Sequence, residues 1–279
     1  MITLLEIPGR SELPYSPNTW KVRLALNIRD IPYRTRCVEV VDIEGTCKSL
    51  GIPPSGTKPT GEPHYTCPSI VDDTVPAETV KLSDSRPIVE YLDRKYPAKD
   101  GTTFFPDDSI QFQNQVQDIF LQNILAQSPF LWLQNLYNVK TPRDQENIKA
   151  RMEARFGKPM NEIVAKGDEW IRRWAVFQEG WSTIDRLAPR SQSNDGPFLQ
   201  GNRILYADIV LAAFLIVLKA SVSDEEWRQI SSWDEGRWGK LLKAFQPWIR
   251  AEGYQCWTDW YVSRCRALSG SLLICIFSP

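Results

Sequence analysis

Residues 65–97, YTCPSIVDDTVPAETVKLSDSRPIVEYLDRKYP, decide how the first third of the chain folds. The stretch holds two short β-like runs, Ser69 to Asp72 and Thr79 to Leu82, and a turn-rich segment joins them. A helical pattern follows at 85–95, where apolar residues recur three and four positions apart. These patterns predict a β-hairpin that leads directly into a helix.

The residues upstream of this stretch complete an α/β unit. Two further β-like runs, Ile2 to Ile7 and Arg34 to Val41, flank a helical pattern at 17–30. A serine followed by a proline opens that helix, which suits the preferences of the N-cap and of the first helical position. The order strand, helix, strand, hairpin, helix predicts one α/β domain over residues 1–97.

The rest of the chain has the pattern of a second, all-helical domain. Residues 98–108 combine proline, glycine and acidic residues without a regular period, so we predict a linker there. Residues 109–267 show only helical periods, which predicts an all-α domain. The apolar run in the tail, residues 268–279, is too short to cross a bilayer, and the sequence leaves its role open.

Charge and composition exclude several classes of function. With 33 basic and 34 acidic residues among 279, the chain carries no net field that would attract nucleic acid or an anionic membrane. The opening residues lack the apolar core of a secretory signal, and no stretch is long and apolar enough to span a bilayer. We therefore expect a cytoplasmic protein whose ligand is a small molecule.

Cysteine and histidine usage limits the chemistry further. The six cysteines show no CxxC spacing, which predicts reduced thiols. His64 is the single histidine, and this excludes a histidine-rich metal site and any catalytic triad that does not use it. We predict that the protein uses no metal.

Four segments carry a resemblance to a known family. SPNTWKVRLAL (16–26), YTCPSIVDD (65–73) and LSDSRPIVEYLDRKYP (82–97) resemble the N-terminal domain of the cytosolic glutathione transferases, in the fungal serine-type group related to bacterial β-etherases. GNRILYADIVLAA (201–213) resembles the start of the central helix in that family's second domain. The resemblance implies a thioredoxin-like α/β domain followed by an all-α domain, glutathione as co-substrate, and a homodimer.

Four glutathione-binding residues follow from this resemblance. It implies a cis peptide bond before Pro68 and a backbone pairing between Cys67 and the cysteinyl part of glutathione, whereas the local sequence alone favours a proline that starts a strand. Asp84 and Ser85 match the acidic residue and the serine that hold the γ-glutamyl end. N-capping of the following helix explains these two residues equally well.

The resemblance implies two more groups of site residues, each with a structural alternative. Lys58 and His64 lie in the loop where the family contacts the glycyl carboxylate, although a lysine in such a loop is more often solvated. Phe130, Trp132 and Tyr137 fall where the family lines the pocket for the acceptor substrate. At helical spacing, however, such an aromatic cluster more often belongs to the core.

Ser16 is the predicted catalytic residue. Redox relatives of the thioredoxin-like fold have Cys-Pro-x-Cys here, and this chain has Ser-Pro-Asn-Thr, so thiol–disulfide exchange is not expected. A serine hydroxyl can instead donate a hydrogen bond to the thiolate of glutathione. Lowering a thiol pKa by about two units needs about 2.7 kcal/mol, which a charge-assisted hydrogen bond and a helix N-terminus can supply. Asn18 and Tyr15 are the alternative donors.

The predicted activity is conjugation of the glutathione thiolate to electrophilic aromatic or polyphenolic compounds, in detoxification or in fungal aromatic metabolism. Two alternatives stay open, namely a non-catalytic binder of aromatic ligands with the same fold and a glutathione-dependent β-etherase. One departure from the family pattern concerns stability. Leu205 stands where the family has a serine or threonine ahead of Asp208, so we expect one hydrogen bond of the helix cap to be missing.

Overall fold

A four-stranded mixed sheet forms the centre of the first domain. The computed structural model describes residues 1–10, 13–188, 196–251 and 254. The strands are β1 Ile2–Glu6, β2 Tyr33–Cys37, β3 Gly56–Thr57, β4 Pro63–His64, β5 Ser69–Asp72 and β6 Val80–Ser83. The main sheet has the order β2-β1-β5-β6, in which β1 is parallel to β2 and antiparallel to β5. β5 and β6 form the predicted hairpin.

Three helices complete this thioredoxin-like domain: α1 Pro17–Ile28, α2 Ile43–Leu50 and α3 Ser85–Lys95. The sequence patterns predict α1 and α3 but not α2, which lies in a stretch interpreted as a connection. This helix ends at Gly51, whose φ of 66° is the left-handed conformation that glycine adopts readily after a helix. The fold class is therefore as predicted, with one short helix missed.

The second domain is built from helices only. They are α4 Ile110–Ile119, α5 Ser128–Asn138, α6 Pro142–Phe156, α7 Met160–Ile163, α8 Gly167–Leu187, α9 Tyr206–Ser221 and α10 Asp224–Phe245. The residues predicted as a linker, 98–108, lie between α3 and α4. The tail, 268–279, lies outside the described residues.

The first part of the predicted all-helical region, residues 109–139, is not one continuous helix. A wide π-helical turn at Phe120–Ile124 follows α4, and a short tight turn leads from it into α5. Pro129 lies at the start of α5 and has no backbone N–H to continue the hydrogen-bond ladder. Trp132, with φ −134°, leaves the helical conformation inside α5. The apolar period of the sequence persists across these breaks, which is why it does not reveal them.

Helix α9 forms the core of the second domain and packs against α1 of the first. Its first 13 residues are all buried. Leu205 caps it without a side-chain hydrogen bond, as expected from the sequence. The carboxylate of Asp208 instead accepts hydrogen bonds from the backbone N–H of Leu205 at 2.8 Å and of Leu199 at 2.7 Å. Burial raises the pKa of Asp208 to about 7.

Two further findings concern the chain as a whole. None of the helices in the described part of the chain has the length and hydropathy that a transmembrane helix needs. The prediction of reduced thiols holds for Cys47 and Cys67 but is wrong for Cys37, which is disulfide-bonded. Sequence spacing reveals only cysteines that lie close along the chain, whereas folding can bring distant ones together.

Candidate active site

Ser16 caps the N-terminus of α1. Its backbone is extended, with φ −90° and ψ 115°, and its Oγ accepts a long hydrogen bond of 3.5 Å from the backbone N–H of Thr19. In the described part of the chain the Ser16 hydroxyl donates to no acceptor. Ser16 therefore offers an uncommitted O–H group at the positive end of a helix of 12 residues.

Tyr15 is turned towards the second domain. Its hydroxyl oxygen accepts a 2.8 Å hydrogen bond from Nζ of Lys140, and that ammonium also lies 4.2 Å from the centre of the tyrosine ring. Burial raises the pKa of Tyr15. Gly9 packs against this ring so closely that a Cβ at Gly9 would overlap Cδ1 of Tyr15. The phenol is thus held in place by a partner other than a ligand.

Asn18, the other alternative donor, is exposed at the first turn of α1. Its Oδ1 accepts a 2.9 Å hydrogen bond from Nζ of Lys21, which leaves the two N–H groups of the amide available. Lys21 itself is only 7% exposed, and burial lowers its pKa to about 8. Lys21 is not among the predicted site residues, because a lysine at the next turn of an amphipathic helix is usually solvated.

The strand β5 begins directly after Pro68, which follows a cis peptide bond from Cys67. The carbonyl of Pro68 accepts a 3.2 Å hydrogen bond from the backbone N–H of Asp84, which ties this strand to the start of α3. The side chain of Cys67 is buried among apolar residues, and burial raises the pKa of its thiol. Cys67 is thus an unreactive thiol, and only its backbone is suited to contact a ligand.

Asp84 and Ser85 form the start of α3. Asp84 has φ 73° and ψ 138°, a strained conformation for a residue other than glycine, and its side chain makes no capping hydrogen bond. The Oγ of Ser85 lies 3.4 Å from Oδ1 of Asp84 and 3.4 Å from the hydroxyl of Tyr206 in the second domain. The capping interpretation of Asp84 is therefore not what the structure shows, and the first N–H groups of α3 lack a side-chain cap.

Lys58 and His64 belong to the small hairpin formed by β3 and β4. The ammonium of Lys58 lies 3.5 Å from Glu44 and 3.8 Å from Glu62, and its side chain is partly exposed. The backbone carbonyl of His64 accepts a 2.8 Å hydrogen bond from the N–H of Ser55. Both carboxylates that flank Lys58 are exposed, so their hold on its charge is weak.

The three aromatic residues predicted to line an acceptor pocket do not form one cluster. Trp132 is buried in the main core, 4.9 Å from the ring of Phe177. Phe130 and Tyr137 pack instead on a smaller cluster between α5 and α7. A cavity of about 340 Å³ adjoins Phe130, but charged and polar side chains, including Arg173, form most of its wall.

A segment of the second domain, residues 139–144, docks beside Ser16. The backbone N–H of Arg10 donates a 2.7 Å hydrogen bond to the carbonyl of Val139. Arg143 forms an ion pair with Glu39 of the first domain. The contacts of Val139 with Arg10 and of Lys140 with Tyr15 hold the loop that leads into α1, and the ion pair of Arg143 holds the segment that follows β2. This docking has no signature in the sequence, because its residues are scattered along the chain.

Comparison with known proteins identifies the family. The family model of the glutathione S-transferase N-terminal domain matches residues 11–100, and the family model of the C-terminal domain matches residues 111–248. The chain belongs to the cytosolic glutathione transferase superfamily. The cis proline before β5 and the open start of α3 occupy the first of these two domains.

Two solved structures of fungal members share the whole fold. A glutathione transferase of Phanerochaete chrysosporium is 31% identical, with a TM-score of 0.79, over 88% of this chain and 96% of its own. A glutathione S-transferase of Ceriporiopsis subvermispora, solved in complex with glutathione, is 30% identical and has a TM-score of 0.79. The match covers 88% of this chain and 97% of the Ceriporiopsis chain. A glutathione S-transferase-like protein of Aspergillus flavus is 28% identical over 92% of this chain and 91% of its own.

The described residues hold no group of three or more histidine, cysteine, aspartate or glutamate side chains that could bind a metal ion. Two helix N-termini, at Ser16 and at Ser85, and the strand that follows Pro68 are features of the described residues on which chemistry could depend. Such N-termini attract anionic groups, and an extended backbone pairs with a peptide.

Proposed function

We propose that the protein is a glutathione transferase that conjugates the thiolate of glutathione to electrophilic aromatic or polyphenolic compounds. The observation that carries this proposal is the hydroxyl of Ser16, which lies at the N-terminus of α1 and donates to no protein acceptor in the described part of the chain. A hydroxyl in this setting is suited to donate to an anion. Tyr15 is less suited to that role because its hydroxyl is already hydrogen-bonded to Lys140, and Cys67 is less suited because burial raises the pKa of its thiol.

Glutathione lies across the first domain in this proposal. The backbone of Cys67 pairs with the cysteinyl part, and Asp84 and Ser85 hold the γ-glutamyl end at the start of α3. Lys58 and His64 contact the glycyl carboxylate in this proposal. To reach it, Lys58 gives up its ion pairs with the exposed carboxylates of Glu44 and Glu62. The similarity to a Ceriporiopsis subvermispora protein solved with glutathione supports this assignment of the ligand.

The chemistry requires no covalent enzyme intermediate. The glutathione thiol loses its proton to solvent, and the hydroxyl of Ser16 donates to the resulting thiolate. The sulfur then forms a bond to an electrophilic carbon, and the leaving group departs with the electron pair of the bond that breaks. One charge-assisted hydrogen bond contributes about 1.5–3 kcal/mol, which corresponds to about one to two units of thiol pKa.

The acceptor binds between the domains in this proposal. Phe130 and Tyr137 are partly exposed and are retained as contacts of the acceptor, whereas Trp132 has the surroundings of a core residue. We place the chain in the fungal group related to β-etherases, on the strength of its 30–31% identity to two fungal transferases. A cytoplasmic homodimer is the proposed state of the protein.

Steady-state turnover tests the proposal directly. The purified protein is assayed with glutathione and a panel of electrophiles that includes a chloronitroaromatic compound and a β-aryl ether, and ligand-induced melting shifts are recorded beside it. Turnover that requires glutathione supports a transferase, and release of the aryloxy group identifies a β-etherase. Melting shifts without turnover on any electrophile would instead show a binding protein.

Ser85→Ala tests the glutathione site independently of turnover. The variant loses a hydroxyl at the start of α3, so we expect calorimetric affinity for glutathione to fall about tenfold while the circular-dichroism spectrum stays native. Ser49→Ala, on the exposed surface of α2, is the matched control and should bind as the wild type does. Unchanged affinity in the Ser85 variant would place the γ-glutamyl end elsewhere.

A further inference from the structure

Lys21 is a buried cation that the fold leaves largely without partners. It lies on α1, five residues after Ser16, and is 7% exposed. Across the described ranges of the chain its ammonium makes a single hydrogen bond, 2.9 Å to Oδ1 of Asn18, and no carboxylate approaches it within 4.0 Å. An ammonium has three N–H donors, so two of them remain free.

The other buried cation of the same helix has a carboxylate partner within the protein. Arg23, which is fully buried, forms an ion pair with Glu6 and donates to the hydroxyl of Tyr33 at 2.9 Å and of Thr35 at 3.1 Å. The protein thus supplies a carboxylate and two hydroxyls to one buried cation and a single neutral amide to the other. A buried charge without an ionic partner is unfavourable, so a lysine in this state is suited to an anion from outside the chain.

The charge nearest to Lys21 points to the ligand group that it binds. Helix α1, which carries Lys21, packs against α3, which starts directly after Asp84. Burial lowers the pKa of Lys21 to about 8, whereas the charge of the Asp84 carboxylate acts to raise it, and the two side chains form no ion pair within 4.0 Å. Asp84 is the strained residue at the start of α3 whose carboxylate makes no capping hydrogen bond. Two opposite charges held apart in this way complement a zwitterion, which carries a carboxylate and an ammonium on one carbon.

The γ-glutamyl end of glutathione is such a zwitterion, and this inference rests on the proposed function. We propose that Lys21 is a further glutathione-binding residue, which donates from its ammonium to the α-carboxylate of the γ-glutamyl group while Asp84 accepts from the α-ammonium. The chemical class that this pair recognises is an unmodified α-amino acid head. Lys21 contributes affinity and orientation at that end of the ligand, away from the thiolate.

A pair of ligands that differ only in the α-carboxylate tests this role. Calorimetry compares S-methylglutathione with an analogue in which 4-aminobutyryl replaces γ-glutamyl, so that hydrogen stands where the α-carboxylate was. Lys21→Met should lose about tenfold to hundredfold affinity for S-methylglutathione and about twofold or less for the analogue. Lys21→Arg, which keeps the charge, should retain the preference for the carboxylate-bearing ligand within about threefold.

Lys58→Met is the matched control, because it makes the same substitution at the lysine proposed to contact the other carboxylate of glutathione, that of the glycyl residue. Its affinity should fall by the same factor for both ligands, since both retain the glycyl carboxylate. Circular dichroism checks the fold of each variant, and Lys21→Gln replaces Lys21→Met should the latter not fold. If Lys21→Met or its substitute Lys21→Gln binds S-methylglutathione as tightly as the wild type, or loses the same factor of affinity for both ligands, the inference is wrong and the proposed function stands. If the wild type binds no S-methylglutathione, both are wrong.

Discussion

Replacing Asp208 with asparagine should destabilise the protein more than any surface substitution. Each carboxylate oxygen of Asp208 accepts one buried backbone N–H, from Leu199 at 2.7 Å and from Leu205 at 2.8 Å. Asparagine has a single acceptor oxygen, so one of these N–H groups would face an amide N–H. Leaving a buried donor unsatisfied costs about 1–3 kcal/mol, and the charge assistance of the second bond is lost as well. We expect a total of about 3 kcal/mol.

Urea unfolding at neutral pH measures this loss, with Asp118→Asn on the exposed side of α4 as the control. A change of about 3 kcal/mol corresponds to a melting temperature lower by roughly 6–12 °C for a chain of this size. The control should stay within about 0.5 kcal/mol of the wild type. A loss below about 1 kcal/mol in Asp208→Asn would refute the account of how α9 begins.

The same residue predicts a pH dependence with a definite sign. Burial raises the pKa of Asp208 to about 7, whereas an unfolded aspartate titrates near 3.9. Between these values the native state holds a proton that the unfolded state has released, so the stability contributed by this residue falls as pH rises from about 4 to 7. The free-energy difference between wild type and Asp208→Asn should therefore be larger at pH 5 than at pH 8, by at most about 3 kcal/mol.

Three other predictions concern contacts of the first domain and the assembly. Gly9→Ala should displace the ring of Tyr15 and destabilise the fold by about 1–3 kcal/mol in urea unfolding, because the new Cβ would overlap that ring. Relative to Lys140→Met, the wild type should gain stability as pH rises from 8 to 10, because burial lowers the pKa of Lys140 to about 8 in the native state only; a flat difference would refute this. Light scattering should give about twice the chain mass of 32.0 kDa, and a clean monomer at micromolar concentration would contradict the proposed homodimer.

The elements that the sequence predicts are those with a local signal. The hairpin β5–β6 and helix α3 follow from period and turn residues, and α1 follows from Ser16 and Pro17. Helix α2 was missed because its eight residues carry a polar sequence and its clearest signal, Gly51, also suits a loop. The π-helical turn after α4 preserves the apolar period, so no periodicity analysis separates it from a continuous helix.

The site residues that the sequence misses depend on contacts between distant parts of the chain. Lys21 is unremarkable as a helical lysine until burial deprives it of water, and Lys140 gains its role only where the second domain meets Tyr15. Trp132 shows the reverse, because the family resemblance implies a place in the acceptor pocket, whereas packing places this residue in the core. A single sequence reports the chemistry of each residue, whereas its surroundings are a property of the fold.

The pKa of the glutathione thiol on the enzyme tests the central claim most directly. Thiolate absorbance in the far ultraviolet is titrated for glutathione bound to the wild type, to Ser16→Ala and to Asn18→Ala. We predict a thiol pKa about two units below its ordinary 8.5 on the wild type and on Asn18→Ala. On Ser16→Ala the pKa should return to within about half a unit of that value, and kcat/KM at neutral pH should fall by about tenfold to a thousandfold. A thiol that stays acidic on Ser16→Ala but not on Asn18→Ala would show that Ser16 is only a helix cap and that Asn18 is the donor.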